Sequence, residues 1–157
     1  MRRKEREVTG KEELVKIIEK CKVCRIGVTD SEGMYIVPVN FAYRFKKDLP
    51  ELYFHSAEKG RKAEAFAQSP TVCFEMDCSH ALITADEACA YGYAYESVMG
   101  TGKISRIDSA EEKKAVLSLL MKQQTGKEFE FSDRMVEGVA VFKITAETIT
   151  GKCKKNS

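Results

Sequence analysis

The sequence predicts a mainly β fold, a small antiparallel barrel with flanking helices. Six segments rich in β-branched and aromatic residues are spread along 157 residues, and 43% of the residues are hydrophobic, enough for a sizeable core. The few helical patterns between them do not form the regular alternation of strand–helix–strand units. We therefore expect a single domain over residues 1–157, with residues 151–157 forming a frayed basic tail.

The first elements are predicted to be a helix and a hairpin. Thr9, followed three positions later by Glu12, fits a capping box for a helix that extends to about Lys20. Two β-rich segments then flank the turn-forming residues 30–33, which indicates an antiparallel hairpin. Its second strand contains Pro38, which cannot donate to a ladder and so marks an edge, a bulge or a place where a ligand replaces the ladder.

The middle of the chain contains a strand, a short helix and a second strand. The strand pattern resumes at residues 52–56, a helix begins near Gly60 and stops before Pro70, and another strand covers residues 71–77. Residues 78–95 mix small, acidic and aromatic residues with no firm period. We predict a loop there, with room for some helix.

A strand, a helix and a strand complete the predicted fold. The strand over residues 95–108 is loosened by Gly100 and Gly102, and Ser109 caps the helix that follows. We expect this helix to face the core with Ala115, Val116, Leu119 and Leu120. The closing strand covers residues 139–151.

Net charge argues against nucleic-acid binding, and the lack of long apolar segments predicts a cytoplasmic location. There are 26 Lys and Arg residues against 24 Asp and Glu, and a net charge of +2 is too small to indicate nucleic-acid binding. The charged N-terminus lacks the apolar stretch of a signal peptide, and no apolar run is long enough for a membrane span. We expect a cytoplasmic protein without a membrane partner, whose six cysteines are free thiols.

Residues 55–62 are the best candidate for an anion site. Alternation along the strand places His55 and Ser56 on opposite faces, and a lone histidine is more often structural than catalytic. Gly60 then frees the backbone before Arg61 and Lys62, at a helix start whose amides favour an anion such as phosphate. The alternative is a basic helix face that is simply solvated.

Other motifs fail or stay weak. The segment GTGK at residues 100–103 is not a phosphate loop, because the pattern's first glycine falls on Ser97 and its hydroxyl position on Ile104. Cys21 and Cys24 form one C-x-x-C, which would need Cys78 and His80 to hold zinc, so paired core thiols are the preferred interpretation and we predict no metal.

Without a hydrolase motif, the two histidines of the chain do not make a self-contained hydrolase. A small barrel that has a phosphate-suited corner and few acid–base groups fits a protein whose chemistry is supplied by a bound cofactor.

The ordered set of motifs resembles the FMN-binding split-barrel proteins related to pyridoxamine 5'-phosphate oxidase, particularly their nitroimidazole-resistance (Nim-like) branch. The resemblance extends nearly from end to end. The segments that carry it are KCKVCRIGV, YIVPVNFAY, LYFHSAEKGRK, YESVMGTGK and FKITAETITGK.

This resemblance implies a six-stranded antiparallel split barrel of Greek-key type that forms a homodimer, with FMN at the subunit interface. It further implies that Ser56, Arg61 and Lys62 hold the FMN phosphate and that His55 lies beside the flavin or the substrate, as a candidate catalytic residue. Residues Pro38, Val39 and Asn40 would run beside the isoalloxazine ring, and Ser97 would reach the flavin of the other subunit.

The same resemblance implies an NAD(P)H-dependent reductase of a small oxidised acceptor, with a nitroaromatic such as nitroimidazole as one candidate. Two departures argue against pyridoxamine-phosphate oxidation: Gly60 replaces the serine before the Arg-Lys pair, and the C-terminus lacks the substrate-binding Arg and His of the true oxidases. The alternatives are a non-catalytic FMN or haem binding and storage module of the same fold and, less favoured, a zinc-stabilised interaction domain.

Overall fold

A computed structural model describes residues 3–155 as one antiparallel sheet with flanking helices. The strands are β1 (Glu7–Val8), β2 (Cys24–Asp30), β3 (Gly33–Val39), β4 (Ala42–Lys46), β5 (Leu49–Ala57), β6 (Thr71–Ile83), β7 (Gly92–Ile107) and β8 (Val139–Lys154). The helices are α1 (Lys11–Lys20), α2 (Arg61–Gln68), α3 (Ala110–Thr125) and α4 (Asp133–Val136), with short 3₁₀ turns at Lys4–Arg6 and Ala88–Ala90.

The strands follow the order β3-β2-β6-β7-β8-β5-β4, and β1 pairs with the end of β8. Every pairing is antiparallel, and the predicted fold class is confirmed. Residues 3–155 form eight strands rather than six because the predicted second strand breaks at residues 40–41 into β3 and β4, and because β1 was not anticipated. Pro38 lies on β3, an edge strand, where a missing N–H costs no ladder bond.

Helix α1 carries the predicted buried residues Leu14, Ile17 and Ile18, but its predicted cap is wrong. The N-cap is Gly10, whose carbonyl accepts a hydrogen bond from the Leu14 N–H at 3.0 Å, and no side chain caps this end. Thr9 therefore lies one residue too early to serve as the cap.

The loop predicted at residues 78–95 is mostly strand. β6 continues to Ile83 and β7 begins at Gly92, so the two strands extend beyond the rest of the sheet as an arm, residues 81–94, called here the β6–β7 arm. A register shift between Cys78 and Ala81 marks its base. Leu82, opposite Tyr93, is exposed like its partner. Ala94 is the one buried residue of the arm, so the sequence of the arm has no apolar period.

Two apolar clusters hold the sheet together. The first lies inside the curved sheet, where the rings of Phe54 and Phe142 stack on each other and the ring of Phe66 on α2 packs edge-on against both. The second lies under α3, where Val116 and Leu120 cover the outer face of β5 and β8. Helix α3 is capped as predicted, by the Ser109 hydroxyl accepting from the Glu112 N–H, but Ala115 is exposed, Leu119 is only partly buried, and Leu117 faces the core instead.

The predicted frayed tail is also wrong over residues 151–154, which belong to β8. Gly151 pairs with Val98 on β7 and with Val8 on β1, and it is buried against Leu14. Residues 156–157 of that predicted tail lie outside the described residues. Within residues 3–155, no helix is long and apolar enough to cross a membrane.

Candidate functional site

The predicted phosphate-binding segment is the loop that joins β5 to α2. Gly60 has φ +121°, a backbone conformation that strongly favours glycine, and its carbonyl accepts the first hydrogen bonds of α2 from the N–H groups of Ala63 and Glu64. Arg61 and Lys62 therefore occupy the first turn of the helix, as the sequence predicts. Their side chains have different surroundings.

Arg61 is engaged by the turn between β2 and β3. Its guanidinium donates to Asp30 at 2.6 Å and 3.2 Å, lies 3.0 Å from a Glu32 carboxylate oxygen, and stacks over the Tyr35 ring at 4.3 Å from its centroid. The Arg61 hydrogen bond holds the pKa of Asp30 below its ordinary value. Arg61 is thus positioned and partly neutralised, with two N–H donors left for an additional acceptor.

Lys62 lies near His55. Lys62 is half-buried, and His55 is exposed on β5 opposite Val141 of β8. Neighbouring atoms shield part of the ring from water, and this partial desolvation, and then the positive charge of Lys62, lower the pKa of His55 below its ordinary value. At neutral pH His55 is therefore an uncharged imidazole beside an ammonium group, a pair that an anionic ligand would stabilise.

Ser56 lies on the opposite face of β5 from His55, as the alternation predicts. It is buried, and its hydroxyl donates to the Ala57 carbonyl at 3.0 Å. One small group could therefore not contact both the Ser56 hydroxyl and the His55 ring without passing around the strand.

The predicted flavin-ring segment lies at the far end of β3. Pro38 is exposed, Val39 is buried, and the Asn40 side-chain amide donates to the Lys22 carbonyl at 2.9 Å. Pro38 lies on the outer face of the sheet, opposite Arg25 of β2. Ser97 lies on the same outer face, on β7, between Asp77 of β6 and Lys152 of β8.

Within one chain these residues do not form a single site. His55 pairs with Val141 and Ser97 with Lys152, so roughly 35 Å of β8 separates the two positions. Ser97 could approach the residues at the start of α2 only if it came from another copy of the chain, which is what the resemblance implies for it.

A groove that the sequence did not predict crosses the outer face of β3, β2, β6 and β7. Its volume is about 640 Å³, and its walls are mainly apolar; residues that line it include Gly27, Met34, Ile36, Cys73 and Thr101. A Cβ on Gly27 would lie 2.6 Å from the Cys73 sulfur, so glycine allows that side chain to lie flat across β2 and keeps the floor low. The sequence does contain one indication of this groove. In β3 the exposed face, which is usually polar, carries the apolar residues Met34 and Ile36.

Arg25 at one side of the groove organises a charged cluster. It donates to Asp77 at 2.6 Å and to Glu75 at 3.0 Å, and the second Asp77 oxygen lies 2.7 Å from His80 Nε2. Although burial alone would raise the pKa of Asp77, the hydrogen bond and charge of Arg25, together with His80, leave it lowered. His80, the other histidine of the chain, is thus oriented by Asp77, the residue that pairs with Ser97 on β7. No sequence pattern indicates this contact.

The C-x-x-C pair behaves as buried thiols. Burial raises the pKa of Cys24 to about 12 and also raises that of Cys21, which disfavours the thiolates that zinc requires. In the described part of the chain, no three His, Cys, Asp or Glu side chains are grouped so that they could hold a metal ion.

Comparison with known proteins places this helix-flanked antiparallel split barrel in a family. The sequence model described as Pyridoxamine 5'-phosphate oxidase matches residues 10–153, and the chain belongs to that family. A crystal structure from Bacteroides thetaiotaomicron VPI-5482, provisionally named a 5-nitroimidazole antibiotic resistance protein, is 34% identical, with a TM-score of 0.80 over 93% of this chain and 85% of that one.

More distant structures share the fold. The FAD and haem binding protein from Mycobacterium smegmatis is 13% identical, with a TM-score of 0.81 over 96% of this chain and 74% of its own. The flavocytochrome Anf3 from Azotobacter vinelandii is 16% identical, with a TM-score of 0.78 over 95% of this chain and 69% of its own. No curated protein sequence matches this chain.

Proposed function

We propose that the protein is a homodimeric, cytoplasmic FMN-dependent reductase that uses NAD(P)H to reduce a small oxidised acceptor, with nitroaromatics such as nitroimidazole as the acceptor class to test first. The observation that carries this proposal is the 34% identity, over 93% of the chain, to the Bacteroides protein named for 5-nitroimidazole resistance. The bound flavin would supply the redox chemistry, taking up electrons from the nicotinamide and delivering them to the acceptor.

The outer groove suits the planar part of such a cofactor. It has mainly apolar walls, a floor kept low at Gly27, and polar groups at its side in Arg25 and Glu75. Ligand sites for ring systems are typically apolar clefts with a few polar groups that fix orientation. Pro38 is exposed on the edge strand β3 and has no backbone N–H, so no further strand can accept a hydrogen bond from that position.

The start of α2 suits the phosphate. Lys62 and the two unused Arg61 donors lie in the first turn of a helix whose N–H groups favour an anion. The Ser56 hydroxyl donates to the Ala57 carbonyl and lies on the inner face, so a phosphate that used it would have to replace that hydrogen bond. A site that uses both Ser97 and this helix start requires two copies of the chain.

The exposed apolar residues support a dimer. Met34 is 92% exposed and Ile36 is 67% exposed on β3, and Met99 on β7 is more than half exposed on the same face. The β6–β7 arm adds Leu82 and Tyr93, on a two-stranded ribbon of a kind that is rarely stable without a partner. A second copy that covered this face would bury both surfaces and bring Ser97 to the partner's site.

His55 is the proposed catalytic residue, and its environment defines what it can do. Its lowered pKa means that the free protein presents a neutral ring, which can donate a hydrogen bond to an acceptor and polarise it. A bound phosphate near Lys62 would offset that positive charge and raise the pKa of His55, so proton donation becomes available when the site is loaded.

A second candidate is a flavin or haem binding module without turnover. It is favoured by the two structures that share the fold and whose names state flavin, haem or both. At 13% and 16% identity these structures establish the fold alone, so the module ranks below the reductase.

Spectroscopy of the purified protein with and without added FMN tests both candidates. The reductase predicts a protein-bound flavin spectrum that bleaches with NADH or NADPH and recovers with a nitroaromatic acceptor. A flavin spectrum that neither donor bleaches would favour the binding module, and a haem Soret band would identify haem as its ligand. Arg61→Ala and Lys62→Ala should each weaken FMN binding about tenfold. Lys59→Ala, which removes an equal charge from the same segment, is the matched control.

A further inference from the structure

Three thiols and one carboxylate meet where α1 ends against the sheet. Cys78 of β6, Glu96 of β7 and Cys153 of β8 stand opposite one another in a single row. Cys21 is the C-cap residue of α1, and the Cys78 sulfur lies 3.9 Å from the Ile17 carbonyl in the last turns of that helix. The proposed flavin site uses none of these four side chains.

Cys21 and Cys78 are the two cysteines that approach the same backbone carbonyl, that of Ile17. The Ile17 carbonyl accepts a hydrogen bond from the Cys21 N–H at 3.3 Å and has the Cys78 thiol 3.9 Å away, so both cysteines converge on one atom. The pKa of Cys21 is raised by burial first and then by the adjacent Cys78 thiol. Cys153 lies two strands from Cys78, about 10 Å away, which is too far for a disulfide.

Cys78 is the member of the pair that solvent can reach. It is partly exposed and stands at the register shift where β6 becomes the arm, next to Ser79, which has φ +59°. The Ser79 hydroxyl donates to Glu96 at 2.6 Å and lies 3.7 Å from the Cys78 sulfur. A non-glycine residue in this left-handed conformation costs free energy, and such strain often accompanies a functional site.

An ion pair between Lys20 and Glu96 lies beside Cys78. Lys20 Nζ donates to Glu96 at 2.6 Å, and the positive charge of Lys20 is close enough to Cys78 and Cys153 for both to contribute to its raised pKa. That hydrogen bond is the main cause of the lowered pKa of Glu96, which therefore stays ionised. The partly exposed Cys78 thiol thus lies beside an ion pair, with the Glu96 carboxylate 3.9 Å from its sulfur.

We propose that Cys21 and Cys78 are a reversible thiol–disulfide pair that hydrogen peroxide or another hydroperoxide oxidises. The Cys78 sulfur attacks the peroxide oxygen and becomes a sulfenic acid, the O–O bond breaks, and the leaving oxygen takes up the proton that the Cys78 thiol loses and departs as water or an alcohol. Cys21 sulfur then attacks the Cys78 sulfur, and the sulfenic hydroxyl leaves as water with the Cys21 thiol proton. Overall, two thiols are oxidised to one disulfide while one hydroperoxide is reduced.

The disulfide would tie the end of α1 to the base of the β6–β7 arm. Asp77, the neighbour of Cys78, pairs with Ser97, so the tie lies one residue from the row that carries a proposed flavin contact. The thiol pair nevertheless faces α1, away from the outer groove, and the proposal does not depend on flavin binding.

The test is peroxide treatment of the purified full-length protein, followed by alkylation, proteolysis and mass spectrometry without reductant. We expect a peptide pair joined through Cys21 and Cys78, lost on adding dithiothreitol. Cys21→Ser should abolish the cross-link and leave a sulfenic acid on Cys78 that dimedone labels. The double variant Cys73→Ser/Cys89→Ser, which removes two exposed cysteines, should leave the yield unchanged.

The cross-link in the unaltered chain decides the outcome whether or not a variant folds. Cys21 and Cys78 both remaining fully alkylatable after peroxide treatment would overturn the proposal, as would oxidation confined to Cys73 or Cys89. Dimedone labelling of Cys78 in the unaltered chain, with no disulfide forming afterwards, would also overturn it.

Discussion

The Arg61 guanidinium donates two hydrogen bonds to Asp30, from Nε at 2.6 Å and from a terminal nitrogen at 3.2 Å. These bonds connect the first turn of α2 to the turn between β2 and β3. Glu32 adds a third contact at 3.0 Å. The proposed phosphate ligand is therefore pre-positioned, but two carboxylates offset its charge. An incoming phosphate would share Arg61 with them and be repelled by both.

Removing one carboxylate should therefore improve binding. We expect Asp30→Asn to lower the Kd for FMN about fivefold, because the amide keeps a hydrogen-bond acceptor for Arg61 while removing the repelling charge. Quenching of FMN fluorescence on titration with protein measures the change. Asp108→Asn removes a carboxylate from a different arginine, Arg106, and should leave the Kd unaltered. Equal or weaker FMN binding by Asp30→Asn would contradict this account of the pair.

His55 should titrate below its ordinary pKa of 6.5, and the cause can be separated by substitution. Partial desolvation of the ring and the charge of Lys62 both disfavour the imidazolium, so Lys62→Gln should move the pKa of His55 upwards. The chain has only two histidines, so NMR titration of the imidazole protons, with His80→Gln for assignment, is direct. No movement of the His55 titration in Lys62→Gln would show that the two side chains do not interact.

The same shift fixes the sign of a stability effect. Because the folded-state pKa of His55 is lowered, the unfolded chain takes up this proton first as the pH falls below about 6.5. His55 thus costs no stability at higher pH and destabilises the fold on the acidic side. Urea unfolding between about pH 8 and pH 5 should show a shallower acidic loss for His55→Gln than for the unaltered chain. Parallel curves for the two proteins would refute it.

Gly27 and Cys73 form the floor of the outer groove and should be energetically coupled. Gly27→Ala places a Cβ 2.6 Å from the Cys73 sulfur, and we expect it to destabilise the fold by about 1–3 kcal/mol through overpacking. Cys73→Ala should relieve most of that cost in the double variant. The checks are denaturant unfolding of the four proteins in the cycle and FMN titration of each. Additive effects of the two substitutions would show that the contact does not shape the groove.

The sequence predicted those elements whose periodicity is created by one buried face. β2, β5 and α2 alternate or repeat against the inner core, and α3 shows its Ser109 cap in the local sequence. The β6–β7 arm has a single buried residue, Ala94, and therefore no apolar period. Residues 151–154 look like a basic tail, although all four pair with β7 and residues 151 and 152 also pair with β1. Polar residues in an antiparallel strand indicate that one of its faces is exposed; they do not indicate that the segment is not a strand.

Only the part of the candidate site that is contiguous in the sequence could be predicted. The local segment from His55 to Lys62 is contiguous, so its helix start and its strand alternation could be derived directly. The partners of Arg61, the groove over Gly27, and the contact of Asp77 with His80 arise from β2, β3 and β6 meeting in the sheet. Long-range pairing brings them together, and single-sequence patterns carry no record of it.

The anchor of α2 in the core gives the last prediction. The Phe66 ring lies 5.5 Å from that of Phe54 and 5.3 Å from that of Phe142, both edge-on, and all three are buried. We expect Phe66→Ala to cost about 3–5 kcal/mol of unfolding free energy. Because α2 carries Arg61 and Lys62, FMN affinity should also fall under conditions where the variant is still folded.

Urea unfolding and FMN titration of the same preparations separate the two effects. Phe129→Ala removes an exposed ring next to α3 and should cost less than about 1 kcal/mol, with FMN affinity unchanged. Phe66→Ala losing stability while keeping full FMN affinity would mean that the position of α2 does not matter to the ligand. In that case the phosphate would have to be held elsewhere, and the assignment of Arg61 and Lys62 would fail with it.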